Sequence, residues 1–169
     1  MRSSVASPTA VGYQQLPAFV LLQQLLPQLL RYRFGVGGSL LLTELGLLQQ
    51  ARDLDLVCAA EDFAAICQKL SSSTHPKLQQ LTVPPHPLYQ SEYFARFVAP
   101  DGTELDVMAN IRVQQAGGLI NWPFDHTQLQ NRAGIPWMRA QQWLELYQLF
   151  QRPERVVLLR QYLILEAKS

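Results

Sequence analysis

The chain has 169 residues, enough for one domain with a substantial core. Hydrophobic residues make up 48% and charged residues 16%, the balance of a chain that folds rather than one that stays disordered. A formal net charge of +1, with no interleaving of basic and aromatic residues, argues against nucleic acid or an anionic membrane as a bulk partner.

Residues 1–13 are small and polar and read as a loose end, without the charge-then-apolar order of a signal peptide. Cys58 and Cys67 are the only cysteines, they lack metal-type spacing, and they read as reduced thiols of a cytoplasmic protein. Over about 16–32, Leu21, Leu22, Leu25, Leu26, Leu29 and Leu30 recur at helical spacing. Pro17 suits the first turn of that helix, and Pro27 should kink it or end it early. Gln23, Gln24 and Gln28 make it too polar to span a bilayer.

"YRFGV" (32–36) reads as a short buried strand that ends in Gly37-Gly38, and a helix should start at Ser39. A strand that passes through glycines into a helix leaves backbone N–H groups free at the helix start, where they favour an anion. Glycine admits a phosphate close to the backbone, and the Ser39 hydroxyl can donate to it. Such turns also arise from tight packing alone.

The next strand, "LDLVCA" (54–59), adds a second signal. Asp53 and Asp55 stand at i and i+2, so on an extended strand both carboxylates share one face while Leu54 and Leu56 point into the core. Two such carboxylates repel each other and resist burial unless a cation joins them, and oxygen ligands of this kind suit Mg²⁺. Arg52 falls on the opposite face and reads as a surface ion-pair residue.

"EDFAAICQKLSS" (61–72) reads as a helix, and the proline-rich "THPKLQQLTVPPHPLYQ" as a connection with one short strand. "EYFARFVA-PDG-TELDVMANIRV" is the clearest β-hairpin, turning at Asp101-Gly102. Asp106 lies midway along its apolar second arm, where solubility needs no acid. It is either a third carboxylate of the same site or a hairpin-face acid bonded to a cation such as Arg96. Glu104 shares its face but reads as solvated beside the turn.

Residues 114–136 read as a loop with a strand near its end. Of the three histidines, His75, His86 and His126, all in loops where a lone histidine is more often exposed than catalytic, the last is the best candidate for a role: Trp122, Phe124 and Asp125 either line an acceptor pocket beside the hairpin or, the favoured reading, Trp122 and Phe124 merely pack the loop. Two amphipathic helices, about 138–150 and 153–167, close the chain, with Trp137, Trp143 and Tyr147 as helix core. The expected fold is α/β (α+β): one domain over 1–169, a small mixed β-sheet with flanking helices and a C-terminal helical pair.

The order Gly37-Gly38-Ser39, then Asp53-x-Asp55, then Asp106 on a later strand resembles the nucleotidyltransferase superfamily of the polymerase-beta type. The small bacterial members come nearest: antibiotic nucleotidyltransferases of the lincosamide type and those of toxin–antitoxin systems. The resemblance implies that Gly37, Gly38 and Ser39 hold the phosphates of a nucleoside triphosphate. It implies that Asp53, Asp55 and Asp106 bind two Mg²⁺ ions, with Asp106 also helping to deprotonate an acceptor hydroxyl. The implied reaction moves a nucleoside monophosphate onto that hydroxyl and releases pyrophosphate. The tail departs from the family pattern, with Gln148 in place of a lysine and Glu154-Arg155 in place of Lys-Asp. Those changes keep open a second possibility, a protein that retains the fold without the chemistry and acts through a protein partner. Acceptor choice would reside in loops 71–92 and 114–136.

Overall fold

The structure, a computed structural model, describes residues 12–169. The expected loose N-terminal end lies mostly outside the described residues, and a 3-10 turn, Tyr13–Gln15, leads into helix α1, Pro17–Leu29. Proline occupies the first turn of α1, where its missing N–H costs nothing. Pro27 sits inside the last turn, so the helix ends soon after it. Phe19, Leu22, Leu25 and Leu29 form the buried stripe of α1.

Strand β1 (Phe34–Gly37) is buried at all four positions and passes directly into the short helix α2 (Gly38–Glu44). Gly46, at φ 79°, follows the end of α2 and stops it. Strand β2 (Leu54–Cys58) and helix α3 (Ala60–Ser71) come next, the helix opening with Glu61 and Asp62, which favour its positive end. A short edge strand β3 (Gln79–Leu81) leads to the expected hairpin of β4 (Tyr93–Val98) and β5 (Glu104–Ala109).

From there the structure departs from the sequence expectation. The second hairpin arm does not run through to Val113. Asn110 adopts φ 48°, a left-handed conformation that asparagine tolerates, and the chain leaves the sheet. Strand β6 (Ile111–Gln115) then pairs with β7 (Gly118–Trp122) in a separate two-stranded ribbon, where a loop was expected. A 3-10 turn, His126–Gln128, separates this ribbon from strands β8 (Gln130–Arg132) and β9 (Ile135–Trp137). Trp137 is therefore a strand residue, not part of the helical core, although it is buried as expected. Helices α4 (Ala140–Leu149) and α5 (Pro153–Ala167) close the chain close to their expected bounds and pack on each other.

The main sheet has seven strands in the order β3-β4-β5-β2-β1-β9-β8. β2 runs parallel to β5 and β1 parallel to β9, and the other neighbours are antiparallel, so the sheet is mixed. Helices α1 and α3 pack on each other and on the centre of the sheet. Trp137, Phe34 and Phe97 are the largest fully buried side chains, each contributing about 1.5–3 kcal/mol through removal from water. Among the described residues no helix is long and apolar enough to cross a membrane.

Candidate functional site

Parallel pairing of β2 with β5 sets the central geometry. Leu54 is the register partner of Leu105, Asp55 of Asp106 and Leu56 of Val107. The two strands therefore carry the same alternation side by side, apolar residues toward the core and acids on the opposite face. The antiparallel pairing of β1 with β2 places Gly37 opposite Asp55, so the β1–α2 turn ends beside the same acid.

The two glycines of that turn have different tasks. A Cβ on Gly37 would overlap the Trp143 indole, which packs from α4 against the end of β1. Gly38 sits at φ 64°, and a Cβ there would overlap Asp55 Oδ2. Glycine is required twice: once for the approach of a helix, once for the approach of a carboxylate. Ser39 follows, partly buried, and its hydroxyl makes no hydrogen bond among the described residues.

The acids respond to their crowding. Burial pushes the Asp55 carboxyl up to about 8, and Asp106 and Asp53 add to the rise, while Arg96 and Arg152 oppose it. Asp53 is raised as well, first by burial, then by Glu104 and Asp106. Glu104, its side chain 37% exposed beside the hairpin turn as expected, is near enough to add to that rise. Its spacing to Asp106 repeats that of Asp53 to Asp55, a signal present in the sequence.

Asp106 is not free. On β4, Arg96 is its register partner, and the guanidinium grips the carboxylate with both arms: Nε donates to Oδ1 at 2.7 Å and Nη2 to Oδ2 at 2.9 Å. The same Arg96 lies 3.5 Å from Glu104 Oε2. The Asp106 side chain is 12% exposed and that of Arg96 31%, so water screens the pair only in part. The hydrogen bond to Asp106 holds the Arg96 guanidinium above its ordinary value. Among the described residues no group of three or more His, Cys, Asp or Glu side chains is gathered closely enough to hold a metal ion by itself. The acidic face holds Asp55, with Asp53 in the bend just before β2, and a neighbouring acid, Asp106, committed to an arginine.

The α4–α5 corner adjoins this face. Burial raises the Tyr147 phenol, and Asp55 raises it further, while Arg155 and Arg152 act against both. A cleft of about 420 Å³ opens there, lined by Tyr147, Gln148, Gln151, Arg152, Val156 and Arg160. Nη1 of Arg155 is buried without a hydrogen-bond partner among the described residues. Sequence reasoning treated Tyr147 as core packing and assigned nothing to Arg152. Only the return of α4 onto the β1 turn brings them to the acids.

His126 is not part of this group. It is exposed and lies near Asp62, which Arg33 holds by bonds from its backbone N and its Nε. That cluster stands at the Phe34–Cys58 end of the β1–β2 pair, opposite the Gly37–Asp55 end. Of the two readings of this loop, packing holds, and no pocket forms around His126 among the described residues. The Trp122 indole donates to Glu145 on α4 at 2.9 Å, Phe124 packs on the core, and Asp125 accepts from the Thr127 backbone N–H. His86 turns its Nδ1 onto the Leu88 backbone N–H. Arg52 is exposed and makes no ion pair among the described residues.

No protein-family model and no curated protein sequence matches the chain. Among solved structures, it is similar to a "putative nucleotidyltransferase" from Thermotoga maritima, at 21% identity and a TM-score of 0.58. The likeness covers 85% of this chain and 91% of that one. The fold is thus a mixed-sheet α/β fold of the kind seen in that protein.

Proposed function

We propose that this chain transfers a nucleoside monophosphate from a nucleoside triphosphate to a hydroxyl acceptor, with Mg²⁺ as cofactor. One observation carries the reading: Asp55 stands between its register partner Asp106 and the Gly38 backbone it touches. A phosphate-type turn and neighbouring acids therefore lie together on the central strands β1, β2 and β5, the likeness to a "putative nucleotidyltransferase" covers 85% of the chain, and the neighbouring cleft carries arginines suited to phosphate charge.

The residues fit a hard divalent ion. Asp55 on β2 and Asp53 just before it supply oxygen ligands, and their proton affinity is raised first by burial and then by neighbouring acids, Asp106 among them for both, a strain that a cation relieves. Bound there, Mg²⁺ would supply neutralisation of phosphate charge and polarisation of the leaving oxygen. The protein's own groups do the rest. Gly37 and Gly38 keep the turn close to the acids, and the Ser39 hydroxyl and the free N–H groups at the start of α2 receive the phosphate tail. The acceptor oxygen forms a new bond to the α-phosphorus, the bond from that phosphorus to the bridging oxygen breaks, and pyrophosphate leaves. The acceptor proton passes to a carboxylate of the acidic face.

A second reading rests on the Arg96–Asp106 pair and on Gln148 and Arg155 in the tail: a protein that keeps the fold and binds a protein partner without chemistry. One experiment separates the two. The protein is incubated with Mg²⁺, each labelled triphosphate in turn and a panel of small-molecule, protein and RNA acceptors. A labelled product that depends on Asp53 and Asp55 supports transfer. No product with any pair, together with no thermal shift on adding triphosphate and Mg²⁺, supports the partner-binding reading.

A further inference from the structure

We infer that Arg96 takes the place of a second metal ion, so that this site holds a single divalent cation on Asp53 and Asp55. The inference rests on the transferase reading and narrows it. A carboxylate that holds a second ion must offer it an oxygen not already claimed by a cation. Here the guanidinium occupies both oxygens of Asp106 at once, at 2.7 Å and 2.9 Å, in the fork geometry that matches arginine to carboxylate. A dication on either oxygen would sit within a few ångströms of a delocalised positive charge in a half-buried site, and the two cations repel.

Arg96 cannot easily withdraw. It stems from the middle of β4, register-paired with Asp106 itself, and its Nε also lies 3.5 Å from Glu104 Oε2. The guanidinium face lies over the Phe94 ring at 5.6 Å, a further hold on its position. The positive charge that a second ion would bring to the Asp106 side of the site is therefore covalently part of the chain. The expectation of two ions shared among Asp53, Asp55 and Asp106 gives way to one ion and one arginine.

The test counts ions rather than turnover. Mn²⁺ substitutes for Mg²⁺, and free Mn²⁺ is read by electron paramagnetic resonance as the protein is titrated, with and without a triphosphate whose α,β-bridging oxygen is a methylene. Wild type should bind one Mn²⁺ per chain with the triphosphate present, and more weakly without it. Arg96→Met, which keeps the length of the side chain and removes the fork, should bind two with the triphosphate present. Arg96→Lys, which keeps the charge, should return the count to one. Two ions on wild type overturn the inference and leave the transferase reading standing. A single ion on a folded Arg96→Met also overturns it. No ion on any form removes the inference and the transferase reading together. Should Arg96→Met fail to fold, the wild-type and Arg96→Lys counts still decide the matter.

Discussion

Asp55 on β2 and Asp106 on β5 face each other in parallel register, yet their protein partners differ: Asp106 is gripped by Arg96, while Asp55 rests against the Gly38 backbone. Two acids of one kind, on neighbouring strands, are thereby set apart. One is a committed counter-ion. The other is a crowded carboxyl whose charge awaits a partner.

Replacing Asp106 with Asn separates these roles. The side chains are nearly equal in size, so the fold should survive, at a cost of about 1–3 kcal/mol for the lost charge-assisted bonds to Arg96. Transfer should slow about 100-fold, as for loss of other charge-stabilising groups, while triphosphate binding changes little. Urea denaturation measures the first effect, and single-turnover kinetics beside equilibrium dialysis measure the second. Wild-type rates in Asp106→Asn would remove Asp106 from the site.

Gly38→Ala tests the close approach of Asp55. The substitution meets both a φ of 64° and the Asp55 carboxylate, so it should cost about 3 kcal/mol or more and weaken Mn²⁺ binding. Gly46→Ala is the control, with φ 79° and open space around the new Cβ, and should cost only about 1 kcal/mol. Equal losses at the two positions would show that Asp55 does not press on Gly38.

The raised Asp55 carboxyl fixes a pH dependence. Its folded value of about 8 lies above the ordinary 3.8, so the native state holds a proton that the unfolded chain has released across that window. The contribution of Asp55 to metal-free stability should be full below about pH 4 and fall as pH rises toward about 8, with a slope of at most about 1.4 kcal/mol per unit from this one group. Mg²⁺ should flatten the fall by favouring the ionised form. Mn²⁺ affinity should rise up to about tenfold per unit over the same window, because one proton is displaced. Asp55→Asn should flatten both trends to what Asp53 alone contributes, which thermal melts and Mn²⁺ titrations across pH will reveal.

Ser39→Ala probes the turn without disturbing it. The hydroxyl has no hydrogen-bond partner among the described residues, so stability should stay within about 0.5 kcal/mol of wild type. Loss of a donor to a charged phosphate should weaken triphosphate binding about tenfold, with a smaller effect on the rate of the bound complex. Unchanged binding would move the phosphate tail away from Ser39.

The parts of this fold that could be read from sequence are those that local chemistry dictates. The β1–α2 turn and the Asp101–Gly102 hairpin each follow from a few adjacent residues, whereas the strand expected to carry both Asp53 and Asp55 starts only at Leu54. The hairpin turn even sets Arg96 across from Asp106, since the register follows from the loop. Sequence alone left that pairing as one of two alternatives, because period and turn place the two side chains opposite but do not say whether a metal or an arginine claims the acid. The strand at 118–122 was missed because its residues are mostly exposed and it lacks the alternation of a strand packed on a core. β9 is three residues long, and its place beside β1 comes from parallel pairing across the chain. Tyr147 and Arg152 reach the site only through the return of α4 to Gly37, which no local pattern announces.

The parallel pairing of β2 with β5 also bears on how the molecule assembles. The strands that carry Asp55 and Asp106 are roughly fifty residues apart in sequence, and parallel strands cannot be joined by a tight turn. The acidic face therefore cannot exist in an early, locally ordered species. It forms only once these distant segments have docked. A divalent ion that recognises this face should act almost wholly on the escape from the native state, lengthening its lifetime while leaving the refolding rate nearly unchanged. The charged surface at the heart of the site would then serve as a clock for the completion of folding, read from the unfolding limb of a denaturant-jump experiment with and without Mn²⁺.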